Sequence, residues 1–294
     1  MTKEQISDKI SALQERFSEL SKGRETLLRE IALAEIPEMV YNSNAIENST
    51  LSLAETEKII HLGVVPRSLD IREVNEAQNL ARITKELLDD PDRQLTVPAL
   101  LARHKILLTN IRDDWAGRFR QGTEWVRVGG HIGANPDFTS GLVSELIAKY
   151  NADTASWFLD KIAWFHAEFE KIHPFNDGNG RIGRVLINWQ LLNSNLPPII
   201  IQNNNKQTEY YPLFAQYPTT LKFDGFTSLF SLLLMEALHK RIAYLEGAPL
   251  VPLPLWARNN SIHPTAAAKS AKRQSIPAFR LRGKWLIPQS YGHS

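Results

Sequence analysis

The sequence predicts a mainly α-helical protein with one short β-hairpin and a small basic module at its C-terminal end. Three observations carry this reading. Apolar residues recur at spacings of three and four through most of the chain, the period of a helix with one buried face. Only residues 117–135 read as β structure, where Glu124 to Val128 runs into Gly129-Gly130, a hairpin signal. Charge is also unevenly divided. The 294 residues carry a net charge of +2, yet residues 247–294 hold seven Lys or Arg and no Asp or Glu. That tail is +7 and the 246 residues before it are −5, an asymmetry that points to a module meeting a polyanion.

Taken in order, Ile6, Ile10, Leu13, Phe17 and Leu20 define a first helix within residues 4–37. A Ser-Lys-Gly break at 21–23 separates it from a second carrying Leu27, Leu28, Ile31 and Ile36. Residues 42–50, Asn-Ser-Asn-Ala-Ile-Glu-Asn-Ser-Thr, form a polar island. Helical patterns resume over 52–62, 71–89 and 97–110, and after the hairpin over 140–150, 157–172, 181–193, 207–216 and 226–245. The expected division is a domain over 1–245, a Pro-rich linker at 246–254 and a small module at 255–294. In that module residues 255–259 and 264–272 read as helices, with Pro264 suited to a first helical position, and 278–288 as a hairpin.

Hydrophobic residues make up 43% of the chain, enough for a real core. With no cysteine, disulfides, thiolate zinc sites and a cysteine nucleophile are excluded. The N-terminus is polar and no apolar run approaches the roughly 20 residues of a membrane span, so a soluble cytoplasmic protein without membrane contact is the expectation.

The chemistry concentrates in His173-Pro-Phe-Asn-Asp-Gly-Asn-Gly-Arg-Ile-Gly-Arg184. Ile162, Phe165, Phe169 and Ile172 mark the helix face before it, and Ile182, Val185, Leu186, Trp189 and Leu192 the one after. The segment is therefore a Gly-rich loop between two core helices. Gly178 and Gly180 permit successive N–H groups to turn inward, and the loop feeds a helix N-terminus, where unpaired N–H groups and the dipole favour phosphate. Arg181 and Arg184, three apart, are expected to reach the same anion. Asp177 offers a hard oxygen suited to Mg²⁺ bridging phosphates. His173 can take a proton from an attacking hydroxyl.

Every fixed position of this stretch matches the signature of Fic-domain proteins, His-x-Phe-x-(Asp/Glu)-Gly-Asn-Gly-Arg-x-x-Arg, and the chain resembles that family over roughly residues 35–245. The resemblance implies a Fic helical core with a β-hairpin flap near 123–130. It also implies transfer of AMP from ATP, with Mg²⁺, to a Tyr, Thr or Ser hydroxyl of a target protein; modification of the chain itself stays open. His173 is then the general base and Asp177 the metal ligand. Nucleotide binding falls to Phe175, Asn176, Gly178, Asn179, Gly180, Arg181 and Arg184. Within that set Phe175 anchors the loop, Asn179 and the 178–180 backbone hold the α-phosphate, and the arginines take the β- and γ-phosphates. A kinase-like branch resembling Doc toxins carries Lys where Gly180 stands, so the chain looks like the AMP-transferring branch.

In the polar island, Ser43 can cap a short helix from which Glu47 projects. Ser43-Asn-Ala-Ile-Glu47-Asn48 also resembles the family's inhibitory motif, (Ser/Thr)-x-x-x-Glu-(Gly/Asn), whose Glu pairs with the second motif arginine, here Arg184. The tail resembles an excisionase or MerR-like winged helix. In that reading Lys269, Lys272, Arg273, Arg280, Arg282 and Lys284 face the phosphates of DNA. His104 and His166 sit among Leu and Phe and read as packed, hydrogen-bonded histidines. Tyr210 and Tyr211 stand near the expected adenine site without an assigned role. Other readings stay open: a DNA-binding regulator whose Fic domain senses nucleotide, removal of AMP by water that Glu47 activates, a donor other than ATP, and a homodimer. A metal hydrolase using His166, His173 and Asp177 lacks compact ligand spacing.

Overall fold

The computed structural model describes residues 2–65, 69–89, 94–128 and 130–292. Gly129 of the expected hairpin and the last two residues of the tail lie outside the described residues. The chain forms two compact units that do not follow chain order. One comprises Leu33–Asn195 and Ile200–Leu229; the other comprises Met1–Ala32, Leu196–Ile199 and Phe230–Ser294. The expected domain over 1–245 is thus divided, because its first residues group with the C-terminal part. Among the described residues no helix is long and apolar enough to cross a membrane.

The larger unit holds most of the helices. Helix α1 (Lys3–Ser21) precedes it, and α2 (Glu25–Ile46) contributes its second half. The second helix was expected to end near residue 37, but α2 runs through Pro37. An interior proline costs about 3 kcal/mol, and the complete burial of Val40 and Ile46 further along offsets it. The extension makes residues 42–46 helical, and Asn42, Ser43 and Asn44 are buried rather than an exposed polar island.

Helix α3 (Leu53–Leu62) starts on a capping box, Ser52 Oγ accepting from the Glu55 N–H and Glu55 Oε2 from the Ser52 N–H, and stops at Gly63. Helices α4 (Ile71–Asp89) and α5 (Val97–Leu108) follow. The β structure is smaller than the sequence suggests: β1 (Arg127–Val128) pairs antiparallel with β2 (His131–Ile132), and the rest of 117–126 is turn. Helix α6 (Thr139–Ala152) leads to the central pair, α7 (Phe158–Ile172) and α8 (Asn179–Asn193). A π turn at Lys206–Tyr210 precedes α9 (Tyr211–Thr220), and α10 (Asp224–Leu245) begins here. Phe165, Phe169, Phe175, Ile182, Leu186 and Trp189 pack with Val40, Leu80, Leu100 and Leu107 in one core. Each such side chain contributes about 1.5–3 kcal/mol by leaving water, and the core brackets the 173–184 loop on both sides.

In the other unit, β3 (Leu250–Pro252), β4 (Phe279–Leu281) and β5 (Lys284–Pro288) form an antiparallel sheet in the order β3-β5-β4. Helices α11 (Leu253–Asn259) and α12 (Pro264–Lys272) pack with it around Leu253, Trp256, Ala271 and Ile287. The segment expected as a linker, 246–254, therefore carries an edge strand and the first turn of α11. Its prolines fit those places, since Pro252 closes an edge strand and Pro254 needs no N–H in a first helical turn. Arg280, one of the six basic residues expected to face phosphates, is instead bound to Glu236 of α10: Nε to Oε1 at 2.8 Å and Nη2 to Oε2 at 2.6 Å.

Candidate functional site

The loop between α7 and α8 is held from several directions. His173 closes α7 in the left-handed region (φ 51°), its N–H bonded to Phe169 O at 2.9 Å, and Pro174 prevents the helix from continuing. Gly178 precedes α8 with φ 82°, and a Cβ there would lie 2.7 Å from Leu107 Cδ2, so no other residue fits without a shift. Phe175 is fully buried and stacks on His104 with ring centroids 3.6 Å apart.

His104 accepts the Gly117 N–H at Nδ1, which leaves its Nε2–H to donate to Asp177 O at 3.0 Å. Burial pushes the His104 imidazole down to about 4, so this brace is neutral near pH 7. Arg120, also buried, donates from Nε to His173 O and from its backbone N–H to Pro174 O, while Nη2 reaches Ala134 O and Nη1 reaches Glu124 O. It ties the loop to the hairpin segment.

These contacts bear on two of the expected site residues. Phe175 shapes the loop from inside the core. Asn179, expected to hold an α-phosphate, spends its side chain on the loop: Nδ2 donates to Phe175 O at 2.8 Å and Oδ1 accepts the Phe175 N–H at 2.9 Å. What Asn179 offers a ligand is its backbone N–H at the start of α8.

A cavity of about 380 Å³ opens over the loop, lined by Glu47, Arg72, His173, Asn176, Asp177, Gly180 and Arg181 among others. On one side Asp177 sits between two arginines. Its Oδ1 accepts from the Gly178 N–H and from Arg181 Nη2 at 2.8 Å, and its Oδ2 from Arg72 Nη2 at 2.6 Å. Glu76 completes an alternating square, 2.9 Å from Arg181 Nη1 and 3.0 Å from Arg72 Nε. Burial alone would raise the Asp177 carboxyl, but the Arg181 and Arg72 charges and the Gly178 N–H outweigh it and hold it below the usual carboxylate range. Among the described residues no group of three or more His, Asp or Glu could hold a metal ion. The single Asp177 carboxylate would suit Mg²⁺, which keeps water and substrate phosphates as its other ligands, once Arg72 leaves Oδ2.

On the other side lies Arg184. Its Nε donates to Ser43 Oγ and its Nη2 to Ser43 O, both at 2.9 Å, while Nη2 also meets Glu47 Oε1 at 2.8 Å. Arg181 and Arg184, expected to converge on one anion, are thus each held in a separate cluster. Ser43 caps no helix of its own; it lies in the last turn of α2 and receives the guanidinium. A Cβ on Gly180 would lie 2.3 Å from Glu47 Oε1, so the missing side chain admits the carboxylate. Lys206 Nζ caps the end of α2, donating to Ala45 O, Ile46 O and Asn48 Oδ1 at 2.8–2.9 Å, and Tyr211 Oη donates to Ile46 O at 2.7 Å.

His166 is buried and meets Tyr210 Oη at 2.8 Å through Nε2, and burial pushes it down to about 4, as expected of a packed histidine. The residues that the sequence reading missed are Arg72, Glu76, Arg120 and Lys206, and for His104, read as a packed, hydrogen-bonded histidine, it missed the brace on the loop. Each acts from a distant element, and only Arg72 and Glu76, four apart on α4, left a local trace.

Residues 94–191 match the model of the Fic/DOC family, and the chain carries a domain of that family. It is 32% identical over 212 residues to the protein adenylyltransferase Fic of Culex quinquefasciatus, covering 67% of this chain and 42% of the relative. The chain thus spans about two fifths of the length of the curated relatives it matches. In fold it is similar to a Fic domain containing signaling protein from Bacteroides thetaiotaomicron, with a TM-score of 0.71 at 22% identity over 81% of this chain and 97% of that one. A Fic family protein from Desulfovibrio desulfuricans matches over 99% of this chain and 98% of its own, with a TM-score of 0.66 at 22% identity.

Proposed function

We propose, from the Fic/DOC family domain as premise, that this chain is a protein adenylyltransferase. It would move AMP from Mg-ATP to a hydroxyl side chain of a protein and be held in check by Glu47. The observation that carries the reading is the cavity itself. It places His173, the N–H groups at the start of α8, Asp177 and Arg181 around one space large enough for a nucleotide's phosphates. In the reaction the target hydroxyl oxygen bonds to the α-phosphorus, its proton passes to His173, and the bond from the α-phosphorus to pyrophosphate breaks. The N–H groups at Gly178–Gly180 face the charge that develops on the α-phosphate. Bound Mg²⁺, held by Asp177, would neutralise phosphate charge, and Arg72 must yield its place on Oδ2 for that to happen. Glu47 restrains the reaction by occupying Arg184, the cation available to a γ-phosphate.

The test is intact-protein mass spectrometry of the Glu47→Gly variant with each nucleoside triphosphate and Mg²⁺. AMP adducts formed only with ATP, and lost in Glu47→Gly combined with His173→Ala, support the reading. Adducts from another nucleotide, or AMP removal that depends on Glu47, would replace it.

A second reading concerns residues 250–292, where the element order and the basic charge favour a winged-helix module that binds duplex DNA. Lys269, Lys272 and Arg273 are exposed on or just after α12, with Arg282 and Lys284 at the β4–β5 turn. Anisotropy with random duplex should show affinity falling steeply with salt. Absence of binding by the full chain at low salt would remove DNA from the account.

A further inference from the structure

Beside His173 the core contains a charged group that the proposed reaction does not use. Glu170 stands one turn earlier on α7, and its side chain is only 9% exposed. Its Oε2 lies 3.6 Å from His173 Nδ1, too far for a hydrogen bond. Neither Glu170 Oε1 nor His173 Nδ1 has any hydrogen-bond partner, although both atoms are buried. Buried polar atoms are nearly always paired, so an unpartnered Nδ1 with the Glu170 carboxylate 3.6 Å away marks a contact that a small movement of either side chain completes. Catalytic hydrogen bonds are often long before substrate arrives and tighten in the complex.

The surroundings are built for a carboxylate. A Cβ at Gly183 would lie 2.2 Å from Glu170 Oε1 and 3.1 Å from His166 Cε1, so α8 leaves a notch where Glu170 sits. Burial opposes the Glu170 charge, but His173, His166 and Arg184 around it outweigh that and hold the carboxyl below its usual range. An ionised Glu170 can only accept, and the ring nitrogen 3.6 Å from its Oε2 is Nδ1 of His173, while the neighbouring His166 imidazole is tied through Nε2 to Tyr210 Oη.

We propose that Glu170 is the positioning residue for His173, accepting the Nδ1–H and so leaving Nε2 bare toward the cavity. This rests on His173 acting as the base. When the hydroxyl oxygen bonds to the α-phosphorus, its proton moves to Nε2 and the imidazolium is stabilised by the Glu170 carboxylate. The proton stays on the ring, and Glu170 begins and ends the step ionised. Gly183 has its place because any side chain there would push the carboxylate away.

The test reads the ring directly. Long-range ¹H–¹⁵N NMR on the full chain without nucleotide, with His173 assigned by His173→Gln, should show the Nδ1–H tautomer in the wild type. Glu170→Gln keeps an acceptor of nearly the same shape and should keep that tautomer, whereas Glu170→Ala should yield a mixture or the Nε2–H form. In transfer assays on a Glu47→Gly background, Glu170→Ala should lower kcat by about 10- to 100-fold with the KM for ATP unchanged. Glu170→Gln should lose less. An unchanged tautomer in Glu170→Ala, or equal kcat in all three, overturns the proposal. A tautomer that depends on Glu170 in a protein that transfers no AMP would leave the positioning intact and remove the adenylyltransferase reading instead. If Glu170→Ala fails to fold, an Nε2–H tautomer in the wild type, or Gln at full kcat, overturns it alone.

Discussion

Arg184 reaches across 137 residues of sequence to Glu47, Nη2 to Oε1 at 2.8 Å, and the same guanidinium grips both the hydroxyl and the carbonyl oxygen of Ser43. The arginine is almost fully buried while Glu47 is 41% exposed, so the carboxylate is the partner that can leave. A phosphate entering the cavity has to displace it to gain the arginine.

Glu47→Gly should therefore raise AMP transfer by about 10²-fold, because in-line attack depends on phosphate placement within about 1 Å. Arg184→Ala should not mimic it, since it removes the carboxylate's partner and the phosphate ligand together. The double variant should be as poor as Arg184→Ala alone. Self-modification measured with radiolabelled ATP decides this, and an unaltered rate in Glu47→Gly would refute autoinhibition.

Lys206 supplies a second, independent handle on the same segment. Its ammonium caps two terminal carbonyls of α2 and the Asn48 side chain, and α2 is what delivers Glu47. Hydrogen bonds to a charged group are worth about 1.5–3 kcal/mol. Lys206→Met should then loosen the end of α2 and raise transfer by about 10-fold, less than Glu47→Gly, with no further gain when the two are combined. Additive gains would show that Lys206 acts elsewhere.

The loop's brace makes a prediction in pH. His104 has an ordinary value of 6.5 in the unfolded chain and about 4 when folded, lowered first by burial. Below pH 6.5 the unfolded state takes up a proton that the folded state refuses. The stability is therefore complete above about 6.5 and drains away as pH falls toward 4, by roughly 3 kcal/mol for this group. Glu124, whose carboxyl is held near 2 chiefly by Arg118, begins to cost stability only below the ordinary carboxylate range. The window from 6.5 to 4.5 thus belongs to buried histidines, with His166 adding to it. Urea unfolding of wild type and His104→Ala at pH 7 and 5 should show a shallower pH dependence in the variant; parallel curves would exclude this role.

How far the sequence reveals this site depends on distance along the chain. The 173–184 segment was legible because a loop that must turn on Gly178, end a helix at Pro174 and present arginines keeps its requirements within a dozen residues. The α7 and α8 faces were legible for the same reason. What the sequence could not show was direction. Arg181 and Arg184 sit three apart, yet Glu76 with Asp177 draws one aside while Ser43 with Glu47 draws the other. The polar run at 42–50 resembles a loop until Arg184 and Asn203 supply partners for Ser43 and Asn42. The proline-rich 246–254 segment resembled a linker because edge strands and first helical turns tolerate the same residue.

Ligands should reach Asp177 in a fixed order, nucleotide before or together with the metal ion. Asp177 has both oxygens occupied, Oδ1 by Gly178 and Arg181 and Oδ2 by Arg72. A divalent ion alone would have to displace Arg72 in exchange for one carboxylate, while the remaining Mg²⁺ positions would hold only water. Nucleotide phosphates change that balance, because they supply oxygen ligands to the ion and an alternative partner for the guanidinium. Mg²⁺ binding should therefore be undetectable without nucleotide and strong with it. Arg72→Gln should tighten Mn²⁺, used as a paramagnetic probe, by up to about 5-fold in the nucleotide-free protein, since an exposed ion pair is worth up to about 1 kcal/mol and its loss unblocks Oδ2. Asp177→Asn should abolish metal uptake in both states while leaving nucleotide affinity without metal largely unaltered. Electron paramagnetic resonance of Mn²⁺, titrated against each variant with and without ATP, reads these outcomes without any transfer reaction. Tight Mn²⁺ binding by the nucleotide-free wild type, or its persistence in Asp177→Asn, would place the metal elsewhere.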